Sequence, residues 1–300
     1  MLAGLRQAVA THLLPDRRQT NTTPPAGLFI AGTDTGVGKT IIACAIARLL
    51  ADHGMDVGVM KPVETGCRIR NGRLFPVDGA ALKAAARSEA PLSTIAFYRY
   101  RLPVAPHAAA QIARRPVVDL SRVAQRFQTQ RQKHAFMIVE GIGGLLVPLS
   151  AQYDLIDLIL AFDLPVLLVA RSGLGTLNHT LLTLRHGSDR GVRFIGAVLN
   201  QTTPRRTLAD ATNPAMLAER CALPVFSFPY CERKSVSGGD SFVLALARAH
   251  RTPTAQGLLR KRGRRRWKRN KKAESLQQWL FRIVKKTTGF VVRTNAQNGR

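Results

Sequence analysis

The sequence predicts an α/β fold, a mainly parallel sheet covered by helices on both faces. Three observations carry that expectation. From Gly27 to about residue 250, short apolar runs rich in β-branched residues alternate with segments of helical periodicity, and strands separated by helices return to the same sheet edge and run parallel. The 300 residues are 45% hydrophobic at a mean hydropathy near zero, enough to bury a sizeable core and to exclude wholesale disorder. A glycine-rich segment, Gly32–Thr40, joins the first apolar run to the first helical one.

Leu28–Ala31 reads as the first buried strand. A helix follows with Ile41, Ile42, Ala45, Ile46, Leu49 and Leu50 on one face, and Val57–Met60 completes a βαβ unit. Further buried strands are expected at Phe136–Val139, Val166–Ala170, Phe194–Leu199 and Val225–Phe228. Helices are expected near Asp78–Ser88, Asp154–Phe162, Thr176–Arg185, Pro214–Cys221 and Ser241–Ala249. One domain over residues 27–250 accounts for all of these, and no internal repeat is present.

Charge divides the chain differently. It carries 45 Lys+Arg against 18 Asp+Glu, a formal net charge of +27 that taken whole suggests a polyanion partner. Residues 251–300 hold 16 of the basic residues and one acid, and ten basic residues crowd into positions 260–272. This basic tail shows no core periodicity of its own and is expected to be disordered or weakly structured. Trp267 within the charge run could stack on a base, but a charge run with one aromatic is usually a solvated segment, so nucleic-acid contact is unsupported and the tail's partner stays open. Residues 1–26, with Arg6, Arg17 and Arg18 and a Thr-Thr-Pro-Pro linker, read as a flexible extension or a targeting leader. The most apolar stretch, Tyr153–Ala170, is broken by three aspartates and Pro165, so no membrane span is expected. Cys44, Cys67, Cys221 and Cys231 form no C-x-x-C pair, which fits a reducing, cytoplasmic compartment.

The segment Gly32-Thr-Asp-Thr-Gly-Val-Gly-Lys-Thr40 has a strand before it and a helix after it, as a phosphate-binding loop requires. It departs from the usual spacing, since Thr33 stands where the first glycine would be. Gly36 and Gly38 would let backbone N–H groups approach phosphate oxygens at a helix N-terminus. Lys39 would reach the β- and γ-phosphates, and Thr40 would offer its hydroxyl to Mg²⁺. A second carboxylate for the metal comes from Phe136-Met-Ile-Val-Glu140, where Glu140 ends a buried strand and Gly141-Ile-Gly-Gly144 follows.

Several segments together resemble dethiobiotin synthetase: GTDTGVGKT (32–40), KPVETGC (61–67), APH (105–107), VEGIGGLLVPL (139–149), LPVLLVARSGLGTLNHTLLTL (164–184) and GAVLN (196–200). The resemblance spans roughly residues 27–250 in the family's order and leaves out both terminal extensions. It implies a P-loop NTPase-like fold, a homodimer with sites at the subunit interface, and ATP-dependent closure of 7,8-diaminononanoate and CO₂ (or bicarbonate) to dethiobiotin through a carbamate and a carbamic-phosphoric mixed anhydride. It also implies ATP contacts at Gly36, Val37, Gly38, Lys39, Thr40 and Ile41 in the loop, and at Gly141, Ile142 and Gly143 after Glu140. Asp78 matches a further Mg²⁺/ATP ligand, so Thr40, Asp78 and Glu140 are the expected metal set. Asn200 and Gln201 match positions reading adenine, with Phe228, Pro229 and Tyr230 bordering the base and Glu232 a weaker candidate.

Lys61 is the expected catalytic residue beside Lys39. It ends the second strand on the same sheet edge, where its ammonium would neutralise charge on the carbamate and the transferring phosphoryl group. Thr65 would contact the diamine, Thr35 would lie beside the transferred phosphate, and the Gly173–Asn178 loop would bind substrate. Cys67, His107 and His179 are expected to be structural. The rival reading is a partitioning or positioning ATPase using the basic tail on DNA or membrane. Proteins of that kind carry a second lysine in the loop, where this chain has Asp34.

Overall fold

The computed structural model describes residues 26–231, 249–251 and 274–289. In chain order the elements are β1 (Gly27–Gly32), α1 (Lys39–Asp52), β2 (Val57–Met60), β3 (Val63–Glu64), β4 (Arg68–Arg70), β5 (Arg73–Phe75), α2 (Val77–Ala85), α3 (Leu92–Ile95) and β6 (Tyr98–Arg99). Next come α4 (Pro106–Ile112), α5 (Leu120–Arg131), β7 (Phe136–Glu140), α6 (Leu155–Phe162), β8 (Val166–Arg171) and α7 (Thr176–Asp189). The described chain closes with β9 (Phe194–Asn200), α8 (Leu208–Arg220), β10 (Val225–Phe228), β11 (His250–Arg251) and α9 (Leu276–Thr288).

The main sheet has the order β11-β10-β9-β8-β1-β7-β2. Its strands from β10 to β2 are mutually parallel, and β11 adds antiparallel to β10. Along β1 the side chains alternate between two apolar layers. Leu28 and Ile30 face α1 and α2, whereas Phe29 and Ala31 face α5 and α6. All four are at most 1% exposed, which is why the strands read as unbroken apolar runs. The second layer includes the stacked rings of Phe127 and Phe162, 4.2 Å between centroids.

All six expected strands are present. The eighth helix, α8, begins before the expected Pro214, because Thr207 and Asp210 form a reciprocal capping box. The expected helix at Ser241–Ala249 lies almost wholly outside the described residues, as do residues 1–25 and the charge run at 260–272. No described helix is long and apolar enough to cross a membrane.

The basic tail departs from expectation at residues 276–288. These form a helix whose Leu276, Trp279, Leu280 and Val284 are buried in the first apolar layer. The Trp279 ring lies 5.2 Å from that of Phe226, and Phe281 meets His53 at 4.8 Å. The Leu276 N–H donates to the Ala249 carbonyl. The apolar spacing was hidden because ten cations precede it and turn the composition of the whole segment. The expected boundary at 250/251 falls inside β11.

Candidate functional site

Parallel strands present their carboxyl ends at one edge, and that edge collects the chemistry. Gly32 ends β1, Lys61 follows β2, Glu140 ends β7 and Asn200 ends β9. Lys61 and Glu140 are 79 positions apart in sequence, yet the β2–β7 register, Met60 beside Val139, makes them neighbours.

The loop after β1 turns through Gly36 (φ 77°) and Gly38 (φ 99°). A Cβ on Gly38 would lie 2.1 Å from Asn200 Nδ2, so the packing requires glycine as much as the dihedral does. Lys39 is 6% exposed, and its Nζ donates to the carbonyls of Asp34 (2.7 Å) and Gly143 (2.9 Å). Burial, and next the Lys61 ammonium, push its pKa down to about 8. An anion bound in the loop would supply the countercharge that its two carbonyl acceptors do not.

Lys61 is 3% exposed and donates to Glu140 Oε1 at 2.5 Å and to the Gly141 carbonyl at 2.9 Å. Asp78 Oδ2 is 3.7 Å from the same Nζ. Burial alone would lower the Lys61 pKa, but the carboxylates of Glu140 and Asp78 outweigh it and raise it, so Lys61 stays an ammonium. Thr40 Oγ1 donates to Glu140 Oε1 at 2.7 Å. The structure thus brings Thr40, Lys61, Asp78 and Glu140 into one cluster drawn from four parts of the chain.

Within this cluster Glu140 Oε2 is buried without a hydrogen-bond partner among the described residues. A buried carboxylate oxygen left over beside a hydroxyl and the Asp78 carboxylate is a hard-oxygen donor set, and Mg²⁺ fits it.

The other expected residues are placed less uniformly. Thr35 is exposed, and its N–H donates to Asp34 Oδ1 at 2.7 Å. Thr65 is partly exposed between the buried Glu64 and the exposed Gly66, and Ile142 is partly buried against the second apolar layer. Val37 is buried, and its carbonyl accepts from Asn200 Nδ2 at 2.9 Å. Asn200 therefore braces the phosphate loop from below, with its Oδ1 buried and unpartnered among the described residues. The Phe228 side chain is inside the core at 1% exposure, and only its carbonyl, accepting from the Gln201 N–H, reaches the edge. Gln201, Phe228 and Pro229 border a small cavity of about 110 Å³ that also touches Ser172 and Asp210. Tyr230 is half-buried, and Glu232 lies outside the described residues.

One residue was missed. Glu64, 4% exposed, accepts from the N–H groups of Asp78 (3.0 Å) and Gly79 (2.9 Å), which fixes the first turn of α2 and with it Asp78. Burial, then the nearby Asp78 charge, push its pKa up to about 7. Its place between Lys61 and Thr65 was the available signal.

Comparison with known proteins adds three findings. A family model described as an AAA domain matches residues 26–230. An ATP-dependent dethiobiotin synthetase from Thermodesulfovibrio yellowstonii is 40% identical over 214 residues, covering 68% of this chain and 89% of that protein. Proteins of the same name from Bacillus licheniformis (41% over 201 residues, 66% and 83% covered) and Anaeromyxobacter sp. strain K (44% over 192 residues, 64% and 84%) are similar to it as well. Among solved structures, the septum site-determining protein MinD complexed with Mg-ADP, from Pyrococcus horikoshii, aligns at a TM-score of 0.50 and 15% identity over 73% of this chain and 92% of that one. The fold is that of a P-loop NTPase.

Proposed function

The chain belongs to the dethiobiotin synthetase family, and from that premise we propose that it is an ATP-dependent carbon–nitrogen ligase joining 7,8-diaminononanoate and CO₂ into the cyclic urea of dethiobiotin. The observation that carries the reading is the cluster of buried Lys61 and Glu140 with half-buried Asp78 and Thr40, beside Lys39: two cations and two carboxylates gathered where a phosphate loop ends.

In the proposed sequence one amine of the diamine attacks CO₂, forming an N–C bond and losing a proton to give a carbamate. A carbamate oxygen then attacks the γ-phosphorus of ATP, the bond to the β-phosphate oxygen breaks, and ADP leaves. The second amine attacks the carbonyl carbon of the mixed anhydride, phosphate departs and a proton is lost as the ring closes. Two anions, carbamate and triphosphate, must approach each other, so fixed positive charge is what this reaction needs most.

Lys61 meets that need as an ammonium held by Glu140 and Gly141, and it remains protonated throughout. Lys39 would exchange its two carbonyl acceptors for the β- and γ-phosphate oxygens. Gly36, Val37, Gly38, Thr40 and Ile41 would direct the loop and helix N-terminus at the phosphates. Thr40, Asp78 and Glu140 would hold Mg²⁺, which would supply charge neutralisation for the phosphoryl transfer. Thr35 and Thr65 would contact the phosphoryl group and the diamine. A homodimer is the working unit that the family resemblance implies.

The test is phosphate release from MgATP, expected only when diaminononanoate and bicarbonate are both supplied, with radiolabelled bicarbonate appearing in the product. ATP turnover indifferent to both additions would refute the assignment.

A further inference from the structure

Away from the phosphate loop, the β4–β5 hairpin, β6, the segment after α4, and α5 enclose a cavity of about 890 Å³. Six arginines line it: Arg73, Arg99, Arg101, Arg115, Arg122 and Arg126. No carboxylate residue lines it, and among the described residues none of the six forms an ion pair. None of its lining residues is Lys39, Lys61, Asp78 or Glu140. Residues 68–131 as a whole hold twelve Lys+Arg against three acids, so the basic excess of the folded domain is concentrated here.

The walls are built rather than accidental. Asn71 (φ 51°) and Gly72 (φ 71°) form the two-residue turn of the hairpin and set Arg73 at its mouth. Arg99 donates from Nε to the Ala96 carbonyl (2.8 Å) and from Nη1 to the Leu74 carbonyl (3.3 Å), which ties hairpin to β6. The Arg126 guanidinium carbon lies over the Phe97 ring, 3.6 Å from its centroid, a cation–π contact. Arg114 takes a left-handed conformation (φ 49°) at the turn that delivers Arg115. Asp119, the nearest acid in sequence, accepts from the Ser121 hydroxyl and the Arg122 N–H at the start of α5 and feels the Arg122 charge without forming an ion pair with it, so at most one of the six has a carboxylate nearby.

Convergent arginines without countercharge repel one another, and a planar fork of N–H donors matches phosphate oxygens two at a time. The volume falls within the ~300–1,000 Å³ of small-molecule sites, and a concave pocket suits a small ligand better than a duplex. We propose that this cavity is a second anion site that binds the polyphosphate group of a small phosphorylated ligand. The group would come either from a nucleotide or from an inorganic polyphosphate.

The experiment is calorimetric titration of the full chain carrying Lys39→Ala, which silences the phosphate loop, with inorganic tripolyphosphate in about 0.15 M salt. One anion is expected per chain. Adding Arg99→Gln, Arg122→Gln and Arg126→Gln should weaken it by about tenfold or more, and Arg122→Lys with Arg126→Lys, which keeps the charge but loses the fork, by less. An unchanged thermal transition identifies the variants as folded. ATP binding more tightly than tripolyphosphate would assign the group to a nucleotide, and equal affinities would assign it to the inorganic chain. Affinity unaffected by the glutamine substitutions, affinity lost only on neutralising the cations of residues 260–272, or binding of a single-stranded oligonucleotide with none of tripolyphosphate would each overturn the proposal.

Discussion

The phosphate-loop cluster and the arginine-lined cavity are both cationic, and they handle charge in opposite ways. Lys39 and Lys61 are 6% and 3% exposed, and each ammonium is tied to named acceptors. Five of the cavity's arginines (73, 101, 115, 122 and 126) are exposed at the residue level, and no described carboxylate forms an ion pair with any of the six. Taking an ion out of water costs several kcal/mol, so the buried lysines require partners fixed in place. The exposed guanidiniums keep their hydration and need none until a ligand arrives. A buried charge therefore specifies geometry, whereas an exposed cluster specifies only the sign of what it attracts.

The largest effect expected from this contrast is at Lys61. Lys61→Ala should lower turnover by ~100-fold or more while changing ATP affinity far less, since its charge is needed chiefly as the phosphoryl group moves. The same substitution strands Glu140 and should cost about 3–5 kcal/mol in denaturant unfolding. Pairing Lys61→Met with Glu140→Gln should restore stability and leave turnover low. Parallel loss of turnover and ATP affinity would make Lys61 a binding residue.

The C-terminal residues carry the same contrast between buried and exposed groups. Cutting the chain after Arg251, as its composition invites, removes Trp279 and the other buried side chains of α9 as well as the cations of residues 252–300. Trp279→Ala alone should destabilise by roughly 3–5 kcal/mol, read as a lowered urea midpoint. A midpoint unchanged by the substitution would return residues 276–288 to the tail.

A smaller effect is expected beside the cavity. The Ser121 hydroxyl and the Arg122 N–H hold the Asp119 carboxyl below its ordinary range. A depressed folded pKa stabilises the fold above the unfolded value of about 3.9, and that gain is lost as pH falls through the folded value. Asp119→Ala should cost about 1 kcal/mol at pH 7 through the lost helix cap, and the gap from the unaltered chain should close in acid. A gap constant with pH would mean that the carboxylate charge contributes nothing to α5.

The six parallel strands and the phosphate loop were legible because their signals are local: unbroken apolar runs, and glycines, lysine and threonine at fixed offsets within nine residues. Helix α5 was not, since its buried side chains Leu120, Val123 and Phe127 are a narrow stripe among arginines and glutamines. The cavity's arginines come from separate segments between Arg73 and Arg126, and no spacing links them before the chain folds. Glu64 gains its meaning only when α2 is laid against it. For Phe228, a place near the nucleotide was read from position alone, whereas strand alternation turns its ring into the first apolar layer.

Helix α9 also bears on how the domain is made. Its Trp279 covers Phe226 and the backbone at Gly196, yet 49 positions separate Trp279 from Tyr230, just past the last parallel strand. At ~5–20 residues per second, residues 232–288 take about 3 to 11 s to emerge from the ribosome. Throughout that interval the parallel strands have been made but one apolar face lacks its cover, a window in which a nascent chain is open to aggregation or to a chaperone.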